Sequence, residues 1–168
     1  MPSKFKAALL AVDGSVTTNV IQQAARVSES ATDLIVSAGG NDGLLRADIL
    51  QRKARSVGDA VDQLAALRTE FHQNYRPMLT ALLARKLPRA ICTVYDPHFP
   101  APPCNDCLLR EAIRHGLPVL DLRLICTEPG DYANEIEPGI PGGRSIAAGI
   151  LNLVQNHDFS CGRMAVYQ

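Results

Sequence analysis

The sequence lacks the features that are typical of proteins that bind nucleic acid or membranes. It contains no tryptophan, only four tyrosines and four phenylalanines, and its 17 basic side chains are matched by 17 acidic ones. This balance gives no electrostatic reason for a nucleic-acid or anionic-membrane partner. No apolar run approaches the ~18 residues that indicate a membrane span. We therefore predict that the protein binds neither nucleic acid nor membrane.

Cysteine use indicates a reducing compartment. The five cysteines are an odd number without the spacing of a disulfide framework, so we predict a cytoplasmic protein. Lys4 and Lys6 precede an apolar run over residues 7–12, as in a signal peptide, but the run ends at Asp13. It is shorter than the ~7 to 15 residues of a signal-peptide core, and we interpret it as a strand.

One cysteine pair has a spacing that is used in redox and zinc sites. Cys104 and Cys107 form a Cys-x-x-Cys motif in which neither a second pair nor a thioredoxin-like pattern follows. A redox or metal role for Cys104 and Cys107 is therefore the least favoured of three functional hypotheses. We predict no metal and no cofactor. Asn105 or Asp106 would instead cap the following helix.

Length and periodicity predict one α/β domain over residues 1–168. Hydrophobic residues make up 46% of the chain and charged residues 20%, as in globular proteins. Short apolar runs bounded by turn residues alternate with amphipathic patterns, which predicts a parallel sheet covered by helices. The predicted strands are residues 7–12, 34–38, 89–95 and 117–122. The longest predicted helix starts near Val57, and we expect Pro77 to kink or divide it.

The predicted strand at residues 34–38 leads into a turn whose side chains could bind a ligand. It runs into Gly39 and Gly40, and the carboxyl ends of strands in an open α/β sheet are where ligands bind. Asn41 follows with an amide that donates hydrogen bonds, and Asp42 could fix the turn or cap a helix. By itself the stretch favours an ordinary strand-to-helix turn, because Gly, Asn and Asp fill such turns for conformational reasons alone.

Residues 38–42, with the sequence AGGND, resemble the Gly-x-Asn-Asp block of the SGNH, or GDSL, hydrolases. Residues 10–15 resemble the second block of that family, in which a glycine amide is an oxyanion donor. The resemblance implies a three-layer α/β/α, flavodoxin-like fold and hydrolysis of small esters. It makes Gly14 and Asn41 the two oxyanion donors, with Ser15, Asp42 and His98 in the substrate-binding region.

The Gly-Asp-Ser nucleophile block of the family is missing. Ser15 stands on a strand-to-helix turn and is an alternative nucleophile, but only one helix separates it from Asn41. The family places its nucleophile one strand and helix further upstream, inside the sheet. We expect either direct pairing of the flanking strands, a strand supplied by a partner such as a second copy in a homo-oligomer, or a true start that lies upstream.

The family's histidine is also missing. Residues 131–138, before Gly142 and Gly143, resemble the Asp-x-x-His-Pro loop of the family. One alignment puts Glu137 at the histidine position and Asn134 at the aspartate position; the other makes Asp131 the acid and Asn134 the base. A carboxylate with an ordinary pKa near ~4.3 is a weak base at neutral pH.

Only His98 and His115 are then left to approach the cleft. We expect an ester hydrolase that is inactive or nearly so, and the alternative is a non-catalytic binding or assembly module.

Overall fold

The computed structural model describes residues 5–95 and 102–168. Four short strands form one parallel sheet in the order β1-β2-β3-β4: Leu34–Val36, Arg89–Cys92, Val119–Leu120 and Val166–Tyr167. The helices are α1 (Thr17–Ala25), α2 (Gly40–Leu44), α3 (Val57–Leu83), α4 (Pro102–His115), α5 (Leu122–Ile125) and α6 (Ile140–Asn156). The predicted parallel α/β class is confirmed.

Alternate side chains of the strands enter two separate cores, because successive residues of a strand point to opposite faces. Val36, Ile91 and Val119 join α1, α3 and α4 in one hydrophobic cluster. Ala90, Cys92 and Leu120 join α5 and α6 in the other. Helices therefore cover both faces of the sheet, and the polar ends of the strands remain at its edges.

The long helix α3 is a single element of 27 residues that contains Pro77. Of the two expected effects of Pro77, a kink or a division, division does not occur. Ser56 caps its amino end by accepting a hydrogen bond from the Asp59 amide. Phe71, Tyr75 and Met78 lie on its buried face, as their spacing predicts. Among the described residues, no helix combines the length and apolarity needed to cross a bilayer.

Residues 7–12 are not a strand, which corrects the first predicted element. They lie outside any regular element, and Leu9 and Val12 are 86% and 53% exposed. An apolar run becomes a strand only if a neighbour takes its backbone hydrogen bonds. Within the described ranges β1 pairs with β2 alone, so direct pairing between β1 and residues 7–12 does not occur.

Helix starts differ from prediction in three places. α4 begins at Pro102, so Asn105 and Asp106 lie inside it and neither is its cap. α6 begins at Ile140, which places Gly142 and Gly143 within its first turn. Asp42 also lies inside a helix, α2, and does not cap it. Neither α5 nor the carboxy-terminal strand β4 was predicted.

Candidate functional site

The turn after β1 lies against the end of β2. Gly39 has φ of +119°, a conformation that is costly for any residue with a Cβ. A Cβ at this position would stand 2.9 Å from the ring of Phe71 and 3.6 Å from a methyl of Val94. Glycine is thus needed here for both conformation and space. The tight turn starts α2 directly at Gly40 and places Asn41 and Asp42 in its first turn.

Asn41 joins this turn to the Gly14-Ser15 segment, 26 residues away. Its side-chain Nδ2 donates to the carbonyl oxygen of Ser15 over 2.9 Å. Gly14 is exposed beside this contact, and the Ser15 hydroxyl accepts from Gln23 Nε2 at 3.0 Å. The two segments expected to carry oxyanion donors therefore meet in the folded chain. A carboxamide nitrogen carries two hydrogens, and the contact with Ser15 uses one of them.

Asp42 holds the amino end of α1. Its Oδ2 accepts from the Thr17 backbone amide at 3.0 Å, and its Oδ1 accepts from the Thr17 hydroxyl at 2.7 Å. Thr17 is fully buried, so these donors have no access to water. Both carboxylate oxygens are thus already engaged within the protein. This contact fixes the segment carrying Gly14 and Ser15 relative to α2.

A small cleft opens beside Asp42. Its volume is about 130 Å³, below the roughly 300 Å³ at which drug-sized ligand pockets begin. Phe71 supplies an apolar wall, and Arg46 and Glu70 form an ion pair across it. Its dimensions suit a group of a few heavy atoms.

A buried polar network joins the carboxyl ends of β2 and β3. The Thr93 hydroxyl donates to Asp121 Oδ1 at 2.9 Å and accepts from the Leu122 amide at 2.9 Å. Arg123 donates to both carboxylate oxygens of Asp121. Burial opposes ionisation of Asp121, but the hydrogen bonds from Arg123 and Thr93 outweigh it and lower its pKa. Sequence reasoning missed this network; the only local signal was an aspartate inside an apolar strand.

The loop carrying Asn134 and Glu137 closes on itself. Asn134 Oδ1 accepts from the amides of Ile136 and Glu137, both at 2.9 Å, and its Nδ2 donates to Glu137 Oε2 at 3.2 Å. Asn134 thus shapes a turn, and both of its side-chain functions are engaged there.

This loop packs at the end of β2. The rings of Tyr95 and Tyr132 meet edge to face with centroids 6.1 Å apart. Burial raises the pKa of Tyr95, and the nearby charge of Glu137 raises it further. Glu137 is exposed beside Tyr95, at the carboxyl edge of the sheet that also carries the Asn41 turn. The predicted C-terminal loop therefore lies at the same edge of the sheet as the predicted oxyanion turn, although the loop comes after β3, which β2 separates from β1.

Histidines within the described ranges have partners elsewhere. His115 ends α4 ahead of β3, at the opposite edge of the sheet, and its Nε2 lies 3.4 Å from Glu111, so it does not approach the carboxyl edge. His157 contacts the hydroxyl of Tyr167, and His72 contacts Glu111. His98 lies outside the described residues. No pairing of Ser15 with an imidazole occurs in the described part of the chain.

The Cys-x-x-Cys pair is buried in α4. Cys104 and Cys107 are 1% and 2% exposed, and burial raises their pKa to about 12 and about 11. Such thiols are poor nucleophiles at neutral pH. The Cys107 thiol donates to the carbonyl of Arg68 at 3.5 Å. In residues 5–95 and 102–168, no cluster of three or more His, Cys, Asp or Glu side chains is arranged to hold a metal ion.

Comparisons of this chain with family models, with curated proteins and with solved structures find no match. The resemblance to the SGNH hydrolases therefore stays a prediction that depends on the short motifs around Gly14, Asn41 and Glu137.

Proposed function

We propose that this chain is an SGNH-type hydrolase domain of three-layer α/β/α, flavodoxin-like architecture that binds a small ester or acyl group. Gly14 and Asn41 would be its oxyanion donors, and turnover would be weak or absent. The observation that carries the proposal is the 2.9 Å hydrogen bond from Asn41 to the Ser15 carbonyl. It brings the two donor segments together, and an oxyanion site needs donors held rigidly about a common point.

The parallel sheet with helices on both faces supports this architecture. Neither Gly14 nor Asn41 lines the cleft beside Asp42, but Val16 and Thr18, which follow the Gly14-Ser15 segment, do. Its volume of about 130 Å³ would suit a short acyl group such as acetyl rather than a long lipid chain. Because Asp42 is fully engaged with Thr17, its role would be to position the Gly14 segment rather than to contact substrate.

Weak turnover follows from the residues that would perform proton transfer. Glu137 would be the base by resemblance, and it lies exposed beside Asn134. A solvated carboxylate is a poor acceptor for a serine proton at neutral pH. Ser15 would be the available hydroxyl, and it accepts a hydrogen bond from Gln23.

The test is hydrolysis of p-nitrophenyl acetate by the purified chain, compared with Asn41→Ala. Loss of one oxyanion donor typically slows an acyl transfer by roughly 10²- to 10³-fold, so any turnover above buffer should fall to background. Asn152→Ala, an exposed asparagine on α6, is the matched control and should leave the rate unchanged. Turnover that survives Asn41→Ala would contradict the oxyanion role.

A second candidate is a non-catalytic binding module at the same site. It is favoured by the internal engagement of Asn41 and Asp42 and by the distant partners of His72, His115 and His157. This candidate predicts no turnover of p-nitrophenyl acetate. It also predicts saturable shifts of the Asn41 side-chain amide in nuclear magnetic resonance (NMR) spectra during acetate titration, and their absence would exclude this candidate.

A further inference from the structure

A groove between α3 and α4 is lined by three arginines, one histidine and one isoleucine. Its volume is about 380 Å³, and its lining residues are Arg68, His72, Arg110, Ile113 and Arg114. Residues four apart lie on one face of a helix, so Arg68 and His72 project from α3 in a row, as do Arg110 and Arg114 from α4. The packing of α3 against α4 brings the two rows together.

The positive charge is only partly neutralised. Asp106 accepts from Arg110 Nε at 2.8 Å and lies 3.5 Å from Arg68 Nη1. Glu111 lies 3.7 Å from Arg114 Nη1 and 3.8 Å from Nε of Arg76, the next residue of the α3 row. Four guanidiniums thus face two carboxylates, which leaves two positive charges even with His72 and His115 neutral. The chain as a whole carries no net charge, so this excess is local.

Glu111 lies beneath the groove and contacts its basic side chains. Its side chain is 1% exposed, and its Oε1 accepts from His72 Nε2 at 2.7 Å. Burial opposes its ionisation, but His72 and Arg114 outweigh burial and lower its pKa. A buried carboxylate beneath the groove therefore holds the basic side chains close together without offering its charge to solvent.

The guanidiniums remain available to a ligand. The side chains of Arg68, Arg110 and Arg114 are 47%, 63% and 53% exposed. Each guanidinium carries five N–H donors in a planar fork that matches two oxygens of a phosphate group. Ile113, between Arg110 and Arg114 in sequence, is 65% exposed and adds an apolar wall.

We propose that the α3–α4 groove binds a small phosphate monoester, with Arg68, Arg110 and Arg114 contacting the phosphate and Ile113 contacting an apolar or aromatic group attached to it. This site is separate from the Gly14 and Asn41 segments. The proposal therefore stands whether or not the chain hydrolyses esters.

The experiment is a titration of the ¹⁵N-labelled protein with phenyl phosphate and with methyl phosphate, followed by NMR at constant ionic strength. We expect saturable shifts at the Arg68, Arg110 and Arg114 Nε–H groups, and tighter binding of phenyl phosphate. Arg110→Gln should weaken phenyl phosphate roughly tenfold, since a hydrogen bond to a charged group is worth about 1.5 kcal/mol or more. Ile113→Ala should remove the preference for phenyl over methyl phosphate.

The matched control is Arg144→Gln, which makes the same charge change on an exposed site of α6. It should leave affinity unchanged, and Arg110→Gln should fold normally because its side chain lies largely in solvent. If both variants weaken phenyl phosphate binding equally, the loss of affinity is due to net charge alone, and the proposal is overturned. Absence of saturable shifts, or a response to oligothymidylate but to neither phosphate ester, would also overturn it.

Discussion

Replacing Asp42 with alanine should destabilise the protein far more than removal of an ordinary surface carboxylate. The carboxylate accepts two hydrogen bonds from Thr17, from the amide at 3.0 Å and from the hydroxyl at 2.7 Å. Thr17 is fully buried, so the variant would leave two donors without an acceptor. The contact also joins α1 to α2 across 25 residues of sequence, and no local interaction replaces it.

The magnitude follows from the chemistry of these bonds. Hydrogen bonds to a charged acceptor contribute ~1.5 to 3 kcal/mol each, and the partial exposure of Asp42 places this pair toward the lower end. We expect Asp42→Ala to lower the free energy of unfolding by ~2 to 4 kcal/mol. Asp42→Asn keeps one acceptor and the same shape, so it should cost about 1 kcal/mol.

Urea unfolding followed by circular dichroism measures these differences, provided that the m-value is unchanged. Asp62→Ala on the exposed face of α3 is the control and should stay within ~0.5 kcal/mol of wild type. A double-mutant cycle with Thr17→Val should give a coupling energy of ~1 kcal/mol, because that variant removes only the hydroxyl. An Asp42→Ala effect below ~0.5 kcal/mol, or no coupling to Thr17, would refute the assigned contact.

Three further outcomes are expected. Thr93→Val should lower the free energy of unfolding by ~2 to 4 kcal/mol in urea, since it removes two buried hydrogen bonds; a loss under ~0.5 kcal/mol would contradict the network. The folded-state pKa of Asp121 lies below its unfolded value of ~3.9, so its contribution is complete above that pH and is lost as pH falls through the folded pKa. Urea midpoints measured from pH 6 to pH 2 should therefore fall less steeply in Thr93→Val than in wild type, and parallel curves would argue against this linkage. In native protein at pH 8, Ellman's reagent should modify the exposed Cys161 quickly and the buried Cys104 and Cys107 only after denaturation; fast reaction of all three would show that the pair is accessible.

The parallel α/β class was predictable because its signals are local. The apolar run before Gly39 and the three- and four-residue spacing along α3 each specify an element without reference to distant residues. The end of α4 at His115 was equally clear, since Gly116 follows it with φ of +61°. The meeting of the Gly14 and Asn41 segments was also predicted, but residues 7–12 form no strand, and side-chain hydrogen bonds from Asn41 and Asp42 make the contact.

The remaining features depend on neighbours that the sequence does not reveal. Residues 7–12 have the composition of a strand but no pairing partner within the described residues. Asn105 looks like a helix cap, yet its carboxamide is buried and both donates to and accepts from the backbone of Val94. Glu111 looks like a surface residue on an amphipathic helix, and its burial depends on side chains of α3, 35 or more positions away. The roles of polar residues that are buried by distant parts of the chain become clear only when the packing is known.

The claim on which the account depends is that the side-chain amide of Asn41 contacts the Gly14-Ser15 segment. In a ¹⁵N-edited NOESY spectrum, the Nδ2 hydrogens of Asn41 should show cross-peaks to the α-hydrogens or amides of Ser15 and Val16, consistent with the 2.9 Å hydrogen bond. Assigned Asn41 resonances with no cross-peak to residues 14–16 would contradict the account and, with it, the shared oxyanion site.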